Sequence, residues 1–329
     1  MSDKAISLYE LASLSDAQRV ALLARTESDL GEYLDAVAPV IEAVREQGDA
    51  ALVRYAREFD RAEVNPTRIR ASEADFEHAF EVLSPEVVEA IQFAVDGIRR
   101  FHEHQKPGPQ WLTEVRPGCF AGEKATPIPS VACYVPRGKG SFPSVVMMTT
   151  VPAVVAGVPR VVVVTPPGPG GEVDAATLVA ARTAGVGEVY KCGGAQAVAA
   201  VAFGTETVPK VAKIVGPGSP YVVAAKRLLA GYIDPGIPAG PSESIILADS
   251  SANPRIAALD LIIESEHGPD SSAFLVTDSR AVAEAAMAAI PEYWQQMGEQ
   301  RVDFSSTVLG GPRGGVVLAP DMDAAIRFV

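Results

Sequence analysis

The chain has 329 residues, of which 48% are hydrophobic, and a formal net charge of −13 at pH 7. This length and apolar content allow a large buried core and favour two domains over one. The negative charge argues against nucleic acid and against an anionic membrane as partners, because both attract positively charged surfaces.

The N-terminal sequence and the cysteines predict a cytoplasmic protein. The segment Met1-Ser-Asp-Lys-Ala lacks the charged-then-apolar order of a signal peptide, and no apolar run is long enough to span a bilayer. Cys119, Cys133 and Cys192 are widely spaced and form no C-x-x-C pair, so we expect three reduced thiols, mostly buried. Cys133 and Cys192 each border a Gly-rich turn, but neither has a nearby histidine to activate it as a nucleophile.

The N-terminal part of the chain is predicted to be helical. Residues 1–28 form a short amphipathic segment, which we interpret as an arm or a small helix pair. Leu30 to Phe59 has apolar residues at helical spacing, with a break at Gly48. Ser72 to Phe80 and Ser84 to His104 repeat the helical pattern. Each of these segments opens with a serine, and Pro85 stands at the first helical position of the second.

The central part of the chain alternates helix and strand. Turns and short strands are expected from Trp111 to Val135, and regular alternation from Ser144 to Ile245. The predicted helices are residues 144–157, 171–185, 194–204 and 218–229, and the predicted strands are residues 160–165, 188–192 and 211–215. Valine runs bounded by turns and separated by helices are typical of a parallel sheet covered on both faces. The pattern therefore predicts a doubly wound α/β domain.

The same alternation continues to the end of the sequence. The expected elements are a strand over 244–249, a helix over 253–266, a strand over 273–277, a helix over 281–290, short strands near Thr307 and Val316, and a last helix from about Asp321. The α/β pattern thus extends beyond the central domain.

Two polar side chains near the end of one predicted helix are candidate metal ligands. Asn253 suits the N-cap of this helix, and Gly268-Pro269 would end it, which places His267 in its last turn. Glu264 and His267 are three residues apart, so on a helix they share a face and can converge on one cation.

The same two residues also have a simpler interpretation. A histidine in a last helical turn often complements the helix dipole, and Glu-x-x-His also arises by chance. A zinc site needs three or four protein ligands. The other histidines lie far upstream in charge-rich helical sequence, at His78, His102 and His104.

Gly-rich turns follow several of the predicted strands. In open parallel sheets ligands bind at the carboxyl ends of strands, where such turns lead into helices. The turns are Tyr134–Gly140, Gly193–Gln196, Gly216–Ser219 and Gly240–Ser242. None matches the G-x-G-x-x-G spacing, and there is no P-loop. Singly, each glycine only allows a tight turn; together, the four turns favour a cleft for a phosphate-bearing cofactor.

Four segments resemble the signature motifs of the histidinol dehydrogenase family. They are Gly193-Gly-Ala-Gln-Ala197, Ile214-Val-Gly-Pro-Gly218 leading to Ala224-Ala-Lys-Arg227, Pro238-Ala-Gly-Pro-Ser-Glu243 and Glu266-His-Gly-Pro-Asp-Ser271. Their order and spacing are those of the family, and the similarity covers nearly the whole chain from about Gly31 onward.

The resemblance implies a homodimeric, zinc-dependent and NAD-linked enzyme. Such an enzyme oxidises a primary amino alcohol twice, from histidinol through the aldehyde to histidine. The implied fold has two incomplete Rossmann-like doubly wound domains, one inserted in the other, with a helical N-terminal arm. The implied arm is residues 1–28, the first domain residues 29–133 with 244–329, and the inserted domain residues 134–243.

The resemblance also assigns site residues by position. Those that correspond to cofactor contacts are Tyr134, Gln196 and Ser219. Those that correspond to substrate contacts are Ser242, Glu264 and His267, of which the last two are also metal ligands. Zinc held there would favour the alkoxide from which hydride leaves, with the cofactor lying across the glycine turns.

Three positions depart from the family pattern. Glu264 stands where the family usually has glutamine, Ser219 stands where it has asparagine, and Arg137-Gly-Lys-Gly replaces a more Gly-rich turn. Glutamate is still a good zinc ligand. Relatives of the family act on other polar alcohols, including sulfonated diols, and Arg137 or Lys139 would suit such an anionic group. Both are equally explained as solvent-facing loop residues.

The family's general bases lie on a Pro-Glu-His segment that is expected a few residues beyond Val329. An aspartate and a histidine that complete the zinc site would follow it, and none of these is present in this sequence. We therefore interpret the chain as a truncated or partial enzyme sequence that binds zinc weakly and has no turnover, with catalytic residues unassigned. The alternatives are a paralogue oxidising another polar alcohol, such as a sulfonated propanediol, and a non-catalytic binding protein with the same fold.

Overall fold

The computed structural model describes residues 5–24, 30–138, 140–237 and 242–329. Its contacts divide the chain into two compact units. Unit 1 comprises Met1–Ser28 and Gly240–Val329, and unit 2 comprises Asp29–Ala239. Unit 2 is therefore one continuous stretch of the sequence, inserted between the two sequence segments that form unit 1.

The chain forms strands and helices along its whole described length. The strands are β1 (Leu8–Glu10), β2 (Gln110–Arg116), β3 (Cys119–Lys124), β4 (Ser130–Tyr134), β5 (Arg160–Thr165), β6 (Val189–Lys191), β7 (Lys213–Val215), β8 (Glu243–Ala248), β9 (Ser272–Thr277) and β10 (Gly314–Leu318). The α-helices are α1 (Asp16–Leu23), α2 (Gly31–Gln47), α3 (Asp49–Phe59), α4 (Glu73–Val82), α5 (Pro85–Gln105), α6 (Pro143–Val155), α7 (Ala175–Ala184), α8 (Gly194–Phe203), α9 (Pro220–Leu228), α10 (Pro254–Ser265), α11 (Arg280–Trp294), α12 (Glu299–Leu309) and α13 (Met322–Phe328).

Unit 2 is built on a four-stranded parallel sheet with the order β6-β5-β4-β7. The register of the central pair runs from Ser130 opposite Arg160 to Tyr134 opposite Val164. Alternate residues of β4 and β5 enter two different hydrophobic cores, with Ala132, Tyr134, Val162 and Val164 in one and Cys133 and Val163 in the other. The valine run is therefore buried on both faces, as expected for a parallel sheet.

Helices cover both faces of this sheet. Helices α2, α3, α8 and α9 share the core on one face, and α4, α5, α6 and α7 share the core on the other. The alanine-rich α8 is buried along Ala195–Ala202, so it packs on nearly all sides. Helix α4 begins with a capping box between Ser72 and Asp75, and α5 begins at Pro85, as the sequence predicts.

Both edges of the unit 2 sheet carry a short additional pairing. The segment 69–71 runs antiparallel to the edge strand β6, and the backbone N–H of Lys191 donates to the Ile69 carbonyl at 2.8 Å. At the other edge, Lys213 of β7 is bridged to Asp234 in the parallel sense. Outside this sheet, β2 and β3 form an antiparallel hairpin whose residues are almost all exposed.

Unit 1 contains a second four-stranded parallel sheet, with the order β1-β10-β9-β8. Helices α10, α11 and α12 share the core on one face, and α1 and α13 share the core on the other. The predicted N-terminal arm therefore supplies both an edge strand and a covering helix, since Leu8 of β1 lies opposite Val316 of β10. Both units are doubly wound α/β folds with parallel sheets, as the valine runs indicate.

Two expectations about the elements differ from the structure. The short strand expected near Thr307 is wrong, because Thr307 lies within α12. Residues 29–133, which we expected to join 244–329, belong to unit 2. The reason is packing: α2 contacts α8 and α9, α4 contacts α7, α5 contacts α6, and β4 is an inner strand of the unit 2 sheet.

The three cysteines are free thiols and two of them are buried, as expected from their spacing in the sequence. Cys133 and Cys192 are buried, Cys119 is partly exposed, and all three are free thiols. Burial raises the pKa of the Cys133 thiol to about 12 and also raises the pKa of Cys192, which disfavours the thiolate that a nucleophile requires. Among the residues that the structure describes, no helix is long and apolar enough to cross a membrane.

Candidate functional site

The carboxyl edge of the unit 2 sheet brings three predicted turns together. The strands are parallel, so the residues that follow β4, β6 and β7 all leave the sheet at the same edge. Tyr134 ends β4, Gly193 precedes α8, and Gly216 precedes α9. Of the first turn, Lys139 lies outside the described residues; of the fourth turn, which belongs to unit 1, only Ser242 is described.

Tyr134 is held at this edge by the start of α8. Its side chain is 4% exposed, and its hydroxyl oxygen accepts a hydrogen bond from the backbone N–H of Gly194 at 3.0 Å. Burial raises the pKa of Tyr134 far above its usual value, and the nearby Asp60 and Cys192 raise it further. The phenol therefore stays neutral and keeps its own proton to donate to a ligand.

Gln196 is a buried amide whose oxygen has no hydrogen-bond partner among the described residues. It lies in the first turn of α8 with 2% exposure, and its Oε1 has no hydrogen bond in the described structure. Gly194 has a φ of +59°, and a Cβ there would lie 2.6 Å from this oxygen. A buried acceptor without a donor costs about 1–3 kcal/mol, so its persistence calls for a ligand that donates to it.

The turn after β7 is shaped by a glycine and a buried lysine. Gly216 has a φ of +107°, and a Cβ there would lie 2.2 Å from the carbonyl oxygen of Tyr134. Lys226 of α9 reaches back and donates to the Gly216 carbonyl at 2.8 Å, and burial lowers the pKa of this lysine to about 8. Ser219 is the exposed N-cap of α9, and its side chain makes no capping bond. Its hydroxyl is available to a polar ligand.

Arg137 also leaves β4 at this edge, but its guanidinium is already engaged. It donates to the Glu172 carbonyl at 3.2 Å and lies 3.5 Å from the carboxylate of the same residue. The structure therefore favours a loop-stabilising role for Arg137 over the recognition of an anionic substrate.

Glu264 and His267 lie close together in unit 1. Their Oε1 and Nδ1 atoms are 4.0 Å apart, and the side chains are 21% and 48% exposed. Helix α10 begins with an Asn253 cap, as predicted, but it ends at Ser265, so His267 lies just beyond the helix rather than in its last turn. The backbone N–H of His267 still donates to the Glu264 carbonyl at 3.3 Å, and this tight turn keeps the two side chains on one side.

The end of α10 is anchored by buried hydroxyl groups. Ser265 and Ser305 of α12 are both fully buried, and their Oγ atoms are 2.7 Å apart. The indole N–H of Trp294 in α11 donates to the same Ser305 oxygen at 3.0 Å. The backbone that carries Glu264 is therefore fixed by two neighbouring helices.

Glu264 and His267 are not joined by a third ligand in the described part of the chain. No group of three or more His, Cys, Asp or Glu side chains there could hold a metal ion. Ser242 lies at the start of β8, where its carbonyl accepts a hydrogen bond from the Ser272 N–H at 2.9 Å. Ser242, Glu264 and His267 therefore lie toward the amino-terminal edge of the unit 1 sheet. Doubly wound folds usually bind ligands at the opposite, carboxyl edge.

Comparison with known proteins gives a consistent result. The sequence profile described as "Histidinol dehydrogenase" matches residues 23–329. "Histidinol dehydrogenase homolog 2" of Mesorhizobium japonicum is 61% identical over 329 residues, which are 100% of this chain and 74% of the relative. "Histidinol dehydrogenase" of Synechocystis sp. is 48% identical over 98% of this chain and 74% of its own length.

A solved structure agrees with these sequence relatives. The crystal structure of histidinol dehydrogenase from Elizabethkingia anophelis has a TM-score of 0.89 and 31% identity, covering 98% of this chain and 73% of that chain. The likeness confirms the α/β fold with parallel sheets. Because the profile spans almost the whole sequence and the relatives align over most of their own length, the chain belongs to the histidinol dehydrogenase family of oxidoreductases.

Proposed function

We propose that this protein is an NAD-linked dehydrogenase that oxidises a polar primary alcohol to the carboxylate. The observation that carries the proposal is the buried, unpartnered Oε1 of Gln196, beside a Tyr134 hydroxyl that has a proton to give. A nicotinamide dinucleotide offers both the amide and hydroxyl donors that Gln196 lacks and the acceptors that Tyr134 suits. The position at the carboxyl edge of a parallel sheet is where such cofactors bind.

The residues of unit 2 would bind and orient the cofactor. The Gly194 N–H fixes the Tyr134 ring, so the phenol proton points away from α8 and is available to an acceptor. Gln196 would accept from a donor on the cofactor, and the exposed Ser219 hydroxyl would contact another of its polar groups. When bound, NAD⁺ would accept one hydride in each of the two oxidations, and each oxidation would release one proton. Water would supply the second oxygen, and a third proton would be released when the carboxylic acid ionises to the carboxylate.

Unit 1 would supply part of a zinc site. Glu264 and His267 are of the right chemical types, and the 4.0 Å between Oε1 and Nδ1 is slightly longer than the roughly 3.4 Å that separates two ligands of a tetrahedral zinc ion. They provide two ligands where three or four are needed, so the fit to zinc is partial and no reaction step is assigned to it. Zinc, when bound, supplies Lewis-acid polarisation of an alcohol oxygen.

Histidinol is the first substrate to test, and a paralogous activity is the second. The paralogue is favoured by the names of the relatives, because four proteins at 57–62% identity are called histidinol dehydrogenase homologs, whereas the relative from Synechocystis sp., at 48% identity, is called histidinol dehydrogenase. Glu264 and Ser219, which replace the glutamine and asparagine usual in the family, point in the same direction.

A homodimer is part of the proposal and is tested by light scattering of the purified protein.

The first experiment measures cofactor binding. NAD⁺ is titrated calorimetrically into the wild type and into Gln196→Leu. This substitution removes the acceptor and replaces the amide by an apolar side chain of similar volume. We expect the wild type to bind and the variant to bind at least about tenfold more weakly. Absence of NAD⁺ binding by the folded wild type would contradict the proposal.

The second experiment identifies the substrate. The chain spans 74% of the length of the Mesorhizobium relative, so NADH formation is measured on the chain extended by the rest of that relative, with zinc present. Oxidation of histidinol supports the leading activity, and preference for dihydroxypropanesulfonate supports the paralogue. NAD⁺ binding without turnover of either alcohol would favour the non-catalytic alternative.

A further inference from the structure

A carboxyl group that the proposed cofactor contacts do not use lies at the same edge of the unit 2 sheet. Asp60 follows α3 and begins the segment that leads to residues 69–71 beside β6. Because 69–71 runs antiparallel to β6, the residues before it lie toward the carboxyl edge of the sheet. The backbone N–H of Glu63 donates to the Pro169 carbonyl in the loop after β5, at 3.4 Å, which ties the start of the segment to that edge.

The Asp60 carboxyl lacks the partners that a structural aspartate has. Its Oδ2 is buried and has no hydrogen bond in the described structure. Asp49 shows the contrast, since its carboxylate accepts hydrogen bonds from the side chains of both Thr205 and Thr207. A buried carboxylate without donors is destabilising, so Asp60 calls for a donor that the described protein does not supply.

The surroundings of Asp60 are those of the proposed cofactor site. Its charge acts on Tyr134 and on Cys192, and it raises the pKa of both groups. Arg137 is the nearby cation, but this guanidinium donates its hydrogen bonds to Glu172. Asp60 therefore lies close enough to Tyr134 and Cys192 for its charge to act on both, and its Oδ2 has no hydrogen bond in the described structure.

We propose that Asp60 is a further binding residue of the cofactor site and that its Oδ2 accepts a hydrogen bond from a ribose hydroxyl group. The inference rests on the proposed function, because the ribose is one of those in NAD⁺. A vicinal diol offers two O–H donors to a carboxylate, whereas the pyrophosphate of the same molecule would be repelled. Doubly wound dinucleotide-binding folds use a carboxylate for this purpose after a strand; here it lies after α3.

The test compares NAD⁺ binding by the wild type, Asp60→Asn and Asp35→Asn. Asp35 is an exposed residue of α2, so its variant controls for the loss of one negative charge. We expect Asp60→Asn to bind NAD⁺ about tenfold more weakly, because a hydrogen bond to a charged group is replaced by one to a neutral amide. Asp35→Asn should bind within twofold of the wild type.

A second measurement separates binding from a structural effect. In the wild type, NAD⁺ affinity should fall as the pH is lowered through about 6, where Asp60 becomes protonated, and in Asp60→Asn this fall should be absent. Thermal unfolding of both proteins checks that the variant is folded. If the wild type binds NAD⁺ and Asp60→Asn binds it within threefold with the same pH profile, the inference about Asp60 fails alone. If the wild type does not bind NAD⁺, the proposed function fails as well.

Discussion

Replacing Asp60 by asparagine is expected to make the ligand-free protein more stable. One oxygen of this carboxyl group is buried without a partner. Burial raises its pKa from 3.8 to about 6, although the charge of Arg137 opposes the change. At neutral pH the folded chain therefore holds a poorly solvated charge, and a neutral amide of the same shape removes that destabilising term.

The size of the effect follows from the pKa. A change from 3.8 to about 6 corresponds to about 3 kcal/mol, since each pKa unit is worth about 1.4 kcal/mol. Because the carboxyl group is still partly open to solvent, screening reduces this to about 1–2 kcal/mol. For a unit of this length, that difference raises the melting temperature by roughly 2–8 °C.

The pH dependence has a definite sign. Between pH 3.8 and about 6 the folded state holds a proton on Asp60 that the unfolded state has lost, so the wild type loses stability as the pH rises through this window. Above pH 6 the deficit is constant, and below pH 3.8 it disappears. The charge of Arg137 acts on Asp60, and Asp60 in turn acts on Tyr134 and Cys192. Because burial raises the pKa of Tyr134 and of Cys192, both groups stay protonated near pH 5.

Urea unfolding at weakly acidic and at neutral pH measures the difference directly. Asp60→Asn should exceed the wild type at neutral pH and approach it near pH 4, while Asp35→Asn should stay within about 0.5 kcal/mol of the wild type at both. An Asp60→Asn protein that is less stable than the wild type at neutral pH would refute the reasoning, because the carboxylate would then make stabilising contacts.

The remaining predictions concern Gln196, the candidate metal ligands and Lys226. Gln196→Leu should melt at the wild-type temperature or above it, because it removes a buried acceptor that lacks a partner; a large loss of stability by calorimetry would contradict this. Zinc affinity, measured by competition with a chromophoric chelator, should fall about tenfold or more in His267→Ala and in Glu264→Ala. His78→Ala, from an exposed His–Glu pair in α4, should leave it unchanged. Burial lowers the pKa of Lys226 to about 8 in the folded chain, so the free energy of unfolding of the wild type should rise relative to that of Lys226→Met between pH 8 and 10.5. Urea unfolding measures this difference, and a difference that does not change with pH would refute the burial of Lys226.

The elements with strong local signals could be predicted from the sequence. The strand predicted at Arg160–Thr165 is β5 residue for residue, and α5 begins at Pro85 as its serine and proline indicate. These predictions hold because capping, proline placement and valine runs act over a few residues. The fold class follows from the same runs, because short valine runs separated by helices are typical of a parallel sheet buried on both faces.

Helix α12 could not be predicted because its burial depends on distant partners. Thr307-Val-Leu309 has the β-branched composition of a short strand, but it lies in a helix whose buried face includes Ser305. A buried serine interrupts the apolar helical pattern, and it is tolerated because Ser265 and Trp294 bond to it. Neither partner is visible in the local sequence, so tertiary contacts decide the element.

The candidate site was only partly accessible to sequence reasoning. Tyr134 and Gln196 were identified by resemblance, and the structure joins them through Gly194, whose N–H binds the phenol. The resemblance also points to Glu264 and His267, whose Oε1 and Nδ1 atoms lie 4.0 Å apart in the structure. No sequence motif marks Asp60 as a site residue. It is an aspartate at the end of a helix, and its environment is formed by strands that are distant in sequence.

The short pairings at the two edges of the unit 2 sheet protect it against self-association. An open edge of a parallel sheet presents unsatisfied N–H and C=O groups that can recruit a strand from another molecule. Residues 69–71 occupy that position on β6, and Asp234 occupies it on β7. Detachment of 69–71 would therefore leave the edge of β6 open to pairing with a strand of another molecule.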